Sequence, residues 1–230
     1  MGEYKELTAA DGHTLSAYVA TPSQTPKGSL VVIQEIFGIN SHIRSVVDGF
    51  ASEGYLAIAP ALFDRYERGV ELSYEGEDMQ KAFQLYGKLN PTTALLDVAA
   101  AYAEVEKSEK NVGVVGYCYG GFMSWLSATR GAGVGMQPAC SVGYYAGGIG
   151  TVATEQPTCP VMLHFGSDDT HIGMDQVDAV RAAHPEVEIH LYAGAQHGFN
   201  CDQRASFNPA AAKLARERTL AFFAKNMPAR

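Results

Sequence analysis

Short apolar runs rich in β-branched residues recur along the chain, and longer segments with apolar residues at helical spacing separate them. The runs have the length of buried strands, and Gly, Pro or polar residues bound them. Strands that alternate with helices predict βαβ units, so we expect an α/β fold with a mostly parallel central sheet and helices on both faces. The predicted strands are Leu30–Ile33, Leu56–Ile58, Val112–Val115, Val161–Phe165 and Val187–Tyr192, and the predicted helices are Ile43–Ala51, Met79–Leu89, Thr93–Val105, Phe122–Thr129, Gln176–Ala183 and Pro209–Lys225.

The pattern indicates one domain. Residues Lys5–Ala20 hold two alternating runs around Asp11-Gly12, which predicts a β-hairpin at the edge of the sheet. No internal repeat, low-complexity tract or linker interrupts the later alternation of strands and helices. A chain of 230 residues fits a single large α/β unit, so we expect one domain over residues 1–230.

Composition and charge narrow the classes of function. The apolar fraction of 47% is ordinary for a globular protein. A net charge of −8 without any basic run argues against a nucleic-acid or anionic-membrane surface. No apolar run reaches the roughly 18–20 residues that cross a bilayer, and Met1–Thr8 lacks the apolar region of a signal peptide. We therefore expect a cytoplasmic protein, a monomer or homodimer, that acts on a small molecule.

The four cysteines raise the question of whether one of the thiols has a chemical function. An even number permits disulfides, yet a large chain without a secretory signal favours reduced thiols. No pair has the C-x-x-C spacing of a zinc or redox site. The cysteines are Cys118, Cys140, Cys159 and Cys201.

One cysteine lies in a turn with a recognisable function. The apolar run of Val112–Gly121 ends in G-x-C-x-G, and a helical pattern begins at Phe122, which matches the G-x-S-x-G nucleophile elbow with sulfur in place of oxygen. Side chains at Gly116 and Gly120 would collide with the neighbouring strand and helix. The turn places Cys118 at a helix N-terminus, where the dipole favours a thiolate. A buried structural cysteine is the alternative, but the flanking strand and helix favour a nucleophile.

An acid follows in the chain order nucleophile, acid, histidine that α/β-hydrolases share. Asp168 and Asp169 come just after the strand predicted at Val161–Phe165, on the edge of the sheet where such sites form. The G-x-x-D spacing from Gly166 favours Asp169, and Asp168 is the alternative. Either residue could instead be a turn residue or a helix cap.

A histidine on a Gly-flanked loop completes the order. His197 follows the last predicted strand, from which its imidazole can pair with Cys118 while Asp169 fixes its tautomer. His164, at the end of a strand, is expected to be a satisfied core residue. No cofactor is expected, and no spacing of the remaining histidines predicts a metal site. They are His13, His42, His171, His184 and His190.

Taken together, these residues resemble the dienelactone hydrolase family of α/β-hydrolases over essentially the full length of the chain. The matching segments are Gln34–Gly38, Gly116–Gly121, Gly166–Asp169 and His197–Phe199. The resemblance implies the α/β-hydrolase fold and a triad of Cys118, Asp169 and His197.

The same resemblance assigns roles around the triad. It implies that Glu35 holds the resting thiol and helps to ionise it when substrate arrives; a carboxylate near an apolar pocket has the raised pKa that this needs. The alternative for Glu35 is a buried acid satisfied by backbone donors or an arginine. The oxyanion hole of this architecture uses the N–H after the nucleophile and one N–H from the loop after the first parallel strand, here Tyr119 and Ile36.

The chain departs from the family at the substrate site. Relatives that open dienelactones hold the substrate carboxylate with two arginines, and here the helix at Asp78–Leu89 has Met79 and Lys81 but no arginine. Arg204 is a substitute for the second one, or a surface residue. We therefore expect a neutral, more apolar substrate. The expected substrate contacts are Phe37, Tyr86, Phe199 and Arg204, and Phe63, Tyr66, Phe83, Tyr119 and Tyr144 are further candidates for the pocket wall.

The expected activity is hydrolysis of carboxylic esters or lactones through an acyl-enzyme on Cys118. The resemblance also brings in phosphotriester cleavage as a second activity, because some members of the family accept such substrates. The rival function is a non-catalytic binding or sensing protein with Cys118 as a redox switch, which an intact triad argues against.

Overall fold

A computed structural model describes residues 2–228, and it has the predicted α/β architecture. Its eight strands form one sheet in the order β1-β2-β4-β3-β5-β6-β7-β8. All neighbouring pairs from β4 to β8 are parallel, and β1 and β2 are antiparallel, as the predicted edge hairpin requires. The strands are β1 (Glu3–Thr8), β2 (Thr14–Ala20), β3 (Ser29–Ile33), β4 (Leu56–Pro60), β5 (Val112–Tyr117), β6 (Cys140–Tyr144), β7 (Val161–Gly166) and β8 (Glu188–Tyr192).

Polar residues cap three of the helices, and α1 and α3 begin two residues earlier than their apolar patterns after such a cap. Asn40, Asn90 and Asn208 each accept a hydrogen bond from a first-turn N–H, and a proline follows two of them at the first helical position. Within residues 2–228 no helix is both long and apolar enough to cross a bilayer. The helices are α1 (Ser41–Ser52), α2 (Gly76–Tyr86), α3 (Pro91–Glu106), α4 (Tyr119–Arg130), α5 (Met174–Ala183) and α6 (Pro209–Asn226).

Strand β6 is the element that the pattern did not predict. Its sequence is Cys-Ser-Val-Gly-Tyr, with Val142 as the one β-branched residue, so it lacks the apolar run of its neighbours. Packing explains the small residues: a Cβ on Gly143 would approach the carbonyl oxygen of Gly121 in α4 to 3.1 Å. The helix therefore packs closely on this strand, which requires small side chains there.

A polar cluster of the core lies between the sheet and α6. His164 of β7 is fully buried, and its two ring nitrogens lie 2.8 Å from the Tyr192 hydroxyl and 3.0 Å from the Thr219 hydroxyl. The Tyr144 hydroxyl lies 2.7 Å from the same Thr219 oxygen. Because both nitrogens have partners, His164 is the satisfied core residue that the sequence predicted.

The topology brings the candidate residues to one edge of the sheet. Strands β3 and β5 to β8 are parallel, so their carboxyl ends meet on the same side. Glu35 follows β3, Cys118 follows β5, Asp169 follows β7 and His197 follows β8. Four segments distant in sequence thus converge above the centre of the sheet.

Candidate active site

The turn between β5 and α4 has the strained geometry of a nucleophile elbow. Cys118 adopts φ 55° and ψ −115°, a conformation that is rare for a residue with a side chain. The flanking glycines make the turn possible. A Cβ on Gly116 would lie 1.8 Å from the carbonyl oxygen of Gly120, and one on Gly120 would lie 2.1 Å from that of Ile33. The backbone N–H of Cys118 donates to the Tyr144 carbonyl across the sheet at 3.0 Å, which anchors the turn.

The elbow presents the thiol at the start of a helix. Cys118 is the N-cap of α4 and is partly exposed, whereas the neighbouring residue Tyr119 is buried. The first N–H groups of a helix have no intrahelical partners, and the helix dipole favours negative charge there. All four cysteines are free; Cys140 and Cys201 are buried and Cys159 is partly exposed. Burial raises the pKa of each of these three thiols, to about 12 for Cys159 and Cys201.

Asp169, and not Asp168, contacts the histidine. The Oδ2 atom of Asp169 lies 2.8 Å from Nδ1 of His197. Its Oδ1 atom accepts hydrogen bonds from the backbone N–H groups of His171 at 2.8 Å and Ile172 at 3.1 Å. Asp168 is exposed and accepts a hydrogen bond from Ser167 instead. The carboxylate of Asp169 is therefore fixed on both oxygens and holds the imidazole through Nδ1, which leaves Nε2 for a second partner.

The pKa values of His197 and Asp169 are shifted by the groups around them. Burial lowers the pKa of His197, but the negative charge of Cys118 and the hydrogen bond with Asp169 outweigh it and raise that pKa to about 10. Burial raises the pKa of Asp169, yet its bond to His197 and its two backbone donors lower it below the usual value. The arrangement thus favours a protonated His197 imidazole beside an ionised Asp169 carboxylate at neutral pH.

The effect of Cys118 on the pKa of His197 gives a prediction for the titration of that imidazole. Because the charge of Cys118 is the largest contribution raising the pKa, Cys118→Ala should lower the pKa of His197 well below 10. The ring would then lose its proton at lower pH than in the wild type. A ¹H–¹⁵N NMR titration of the imidazole measures this shift. His184, which is remote from Cys118 and pairs with Glu186, serves as the internal control. A His197 titration identical in both proteins would show that the thiol and the ring are not coupled.

Glu35 is buried beneath the elbow and has two partners. The Tyr74 hydroxyl donates to its Oε2 at 2.8 Å, and Nη1 of Arg204 lies 3.4 Å from its Oε1. Tyr74 in turn accepts from the side-chain amide of Asn40. Sequence reasoning did not find Tyr74, because it precedes α2 and no local spacing links it to Glu35. An arginine partner was one of the alternatives for this acid.

Two backbone donors flank the thiol. The N–H of Tyr119 is in the first turn of α4, and Ile36 is in the loop after β3. Among the hydrogen bonds of residues 2–228, neither N–H has an acceptor. Both residues also line the cavity that contains the Cys118 thiol. The pair can therefore donate to a negatively charged oxygen above that thiol.

A cavity of about 460 Å³ opens over Cys118. Four of the expected wall residues line it, namely Phe37, Phe83, Tyr86 and Tyr119, together with Arg204. The placement of Phe199 differs from the expectation of a substrate contact. Phe199 is fully buried and packs on the rings of Tyr144, Tyr145 and Tyr192, so its aromatic ring supports the loop of His197. The candidates that do not line the cavity are Phe63, Tyr66, Tyr144 and Phe199, and the lining residues missed from sequence are Met79, Gly147 and His171.

One group of side chains near the site has metal-ligating chemistry. Among residues 2–228, ligand atoms of Glu35, His42 and Cys201 lie within 4.8 Å of one another. Arg204 already pairs with Glu35 and carries a positive charge into the same space. A cation there would meet electrostatic repulsion from that guanidinium, so the group fits an internal hydrogen-bonding cluster better than a metal centre.

Comparisons with known proteins agree with this fold. A sequence model of the dienelactone hydrolase family matches residues 15–227. The chain is 32% identical to the carboxymethylenebutenolidase of Pseudomonas putida over 227 residues, which covers 95% of this chain and 94% of that one. A candidate dienelactone hydrolase from Klebsiella pneumoniae has a crystal structure that superposes with a TM-score of 0.84 at 30% identity, over 98% of this chain and 99% of that one. A dienelactone hydrolase-like promiscuous phosphotriesterase, P91, from metagenomic libraries shares the fold, with a TM-score of 0.78 at 17% identity over 97% of this chain and 98% of that one.

Proposed function

Because the chain belongs to the dienelactone hydrolase family, we propose that this hydrolase cleaves carboxylic esters or lactones through a covalent acyl-enzyme on Cys118. The observation that carries the proposal is the position of the thiol. Cys118 lies on a strained elbow in the wall of an apolar cavity, beside an imidazole that Asp169 holds by Nδ1. A nucleophile, a base and an orienting acid in that relation are the requirements of acyl transfer.

In the acylation step, Sγ of Cys118 attacks the substrate carbonyl carbon and a C–S bond forms. The π electrons move to the carbonyl oxygen, where the N–H groups of Ile36 and Tyr119 donate to the developing charge. Collapse of the tetrahedral intermediate breaks the C–O bond, and His197 gives its Nε2 proton to the leaving alkoxide. In a lactone the alcohol stays attached to the acyl group.

In the deacylation step, neutral His197 takes a proton from water, and the hydroxide attacks the thioester carbonyl. The C–S bond breaks, and Cys118 leaves as a thiolate beside the imidazolium that has just formed. The raised pKa of His197 supports this ending, because an imidazole with a pKa of about 10 keeps the proton that it has taken from water. Glu35 has a positioning role in this scheme: its pair with Arg204 and Tyr74 supports the floor of the site.

The cavity favours uncharged substrates. Arg204 is its one arginine, and it is paired with Glu35, while its guanidinium lies over the rings of Phe37 at 5.7 Å and Tyr74 at 5.3 Å. On α2, Met79 faces the cavity, whereas Lys81 pairs with Glu67 outside it. A substrate carboxylate would therefore enter a partly desolvated space without a free cationic partner.

We expect kcat/KM for an uncharged ester to exceed that for a carboxylate-bearing lactone with a similar leaving group by at least about tenfold, since an unpaired charge costs several kcal/mol on burial. Steady-state kinetics on the two substrates measure the ratio, and Lys81→Ala, a surface cation on the same helix, is the matched control. A clear preference for the anionic lactone that disappears in Arg204→Ala would contradict the proposal.

Phosphotriester cleavage is the second candidate activity. The neutral, apolar cavity suits an uncharged phosphotriester, and the structural relative P91 carries that activity in its name. The same thiolate would attack phosphorus and the same N–H pair would hold the phosphoryl oxygen. Turnover of paraoxon by the wild type that is lost in Cys118→Ala would support this activity, whereas release of p-nitrophenol by both proteins would assign it to another cause.

A further inference from the structure

One face of α2 leaves large apolar side chains exposed beside the nucleophile. Met79, Phe83 and Tyr86 are spaced at i, i+4 and i+7, so they share one face of the helix, and all three line the cavity of Cys118. Phe83 is 55% exposed and Tyr86 is 44% exposed. Large hydrophobic side chains that cluster exposed at the mouth of a cavity mark a binding surface.

Aromatic rings form the other walls next to this face. The ring of Tyr86 meets that of Tyr119 edge to face, with centroids 5.8 Å apart and an interplanar angle of 75°. Phe37 also lines the cavity, and its ring packs on Tyr74 with centroids 4.4 Å apart. The exposed rings of Phe83 and Tyr86 leave surface on which a further ring can pack, and such aromatic pairs contribute beyond the area they bury.

The order of strands divides the cavity into two sides around Cys118. On the side of β3 and β4 are Ile36 and Phe37, after β3, and helix α2, which follows β4. On the side of β6, β7 and β8 are Gly147, His171 and His197, each in the loop after one of these strands. The two sides therefore differ in chemistry: one has aromatic rings, with the paired guanidinium of Arg204 over the ring of Phe37, and the other has two imidazoles.

The position of the proton donor determines on which side of the cavity each half of the substrate binds. The leaving oxygen must lie within reach of His197, because Nε2 of that residue supplies its proton. The alcohol therefore leaves on the side of β6 to β8, and the acyl group extends to the opposite side, towards α2. On the basis of the proposed function, we infer that the Met79–Phe83–Tyr86 face is an acyl-binding subsite for an aromatic ring, so the substrates are esters or lactones of aryl-substituted acids.

Two isomeric esters test this assignment without a difference in size. Methyl phenylacetate carries its ring on the acyl side, benzyl acetate carries it on the alcohol side, and neither leaving group is itself a phenol. We expect kcat/KM for methyl phenylacetate to exceed that for benzyl acetate by about tenfold, the scale of one edge-to-face contact plus the buried ring area. Phe83→Ala should bring the ratio towards one. Leu214→Ala, which removes a side chain of α6 that is 40% exposed and remote from the cavity, should leave it unchanged.

Binding without turnover gives a second measurement. Calorimetry on the Cys118→Ala protein should show tighter binding of phenylacetamide than of cyclohexylacetamide, and Phe83→Ala in that background should remove the difference. Equal kcat/KM values for the two esters, or a Phe83→Ala effect confined to benzyl acetate, would overturn the acyl-side assignment. If hydrolysis of both esters still depends on Cys118, the proposed function survives that result. Absence of any Cys118-dependent hydrolysis would overturn both.

Discussion

Cys118→Ala is expected to abolish ester hydrolysis, with kcat falling by about 10⁴-fold or more, the loss that follows removal of a covalent nucleophile from an enzyme of this mechanism. The elbow, the helix N-terminus and the His197–Asp169 pair all converge on this sulfur, and among residues 2–228 no other cysteine lines the cavity. Steady-state kinetics on a neutral ester measure the loss. Cys159→Ala removes a thiol whose pKa burial raises to about 12, and it should retain full activity.

Cys118→Ser refines the same test. A hydroxyl has a much higher pKa than a thiol and needs a stronger base than this site is built to supply. We therefore expect the serine variant to be strongly impaired although it keeps the shape of the elbow. A thermal melt unchanged from that of the wild type would confirm that the fold is intact. Full activity in Cys118→Ala would exclude the assigned nucleophile.

Asp169→Asn is expected to lower kcat by about 10⁴-fold, because an amide cannot hold the imidazole in the required tautomer or balance its charge. Oδ2 of Asp169 lies 2.8 Å from Nδ1 of His197, and Oδ1 accepts hydrogen bonds from two backbone N–H groups. The asparagine side chain can keep the position of the carboxylate through these backbone donors, but it removes the negative charge. The neighbouring Asp168→Asn is the matched control, and it should change kcat little because Asp168 is exposed and contacts Ser167.

The two variants together separate the competing assignments of the acid. Loss of activity in Asp168→Asn with normal kcat in Asp169→Asn would show that the G-x-x-D spacing was misinterpreted. A second readout is the pKa of His197, which the hydrogen bond with Asp169 helps to raise. It should fall in Asp169→Asn and stay near 10 in Asp168→Asn, when measured by NMR.

The fold could be predicted where burial alone determines the pattern. Strands β3, β5 and β7 are buried on both faces, so their residues form continuous apolar runs. Strand β6 is equally buried but was missed, because close packing against α4 selects Ser141 and Gly143. Its small residues reflect contact with the preceding helix, where Gly121 faces Gly143, and no local periodicity within the strand records that contact.

The candidate site likewise has residues that the sequence predicts and residues that it does not. The glycines around Cys118 and the order of Cys118, Asp169 and His197 follow from local turn geometry and topology, so the sequence indicates them. Tyr74 could not be found in this way. It reaches Glu35 because Gly38 and Glu71 form an isolated bridge that draws its segment over the site. Phe199 was expected to contact the substrate, but its ring is fully buried among tyrosine rings of the core.

Trapping the acyl-enzyme tests the central claim most directly. Wild-type protein mixed with a neutral ester, quenched in acid within the first turnover and digested, should yield the peptide with Cys118 heavier by the acyl group less one hydrogen. That adduct should be absent in Cys118→Ala and should disappear as turnover proceeds. Steady hydrolysis with no acyl group on Cys118, or reversible peroxide oxidation of Cys118 in a protein that cleaves no ester, would contradict the account.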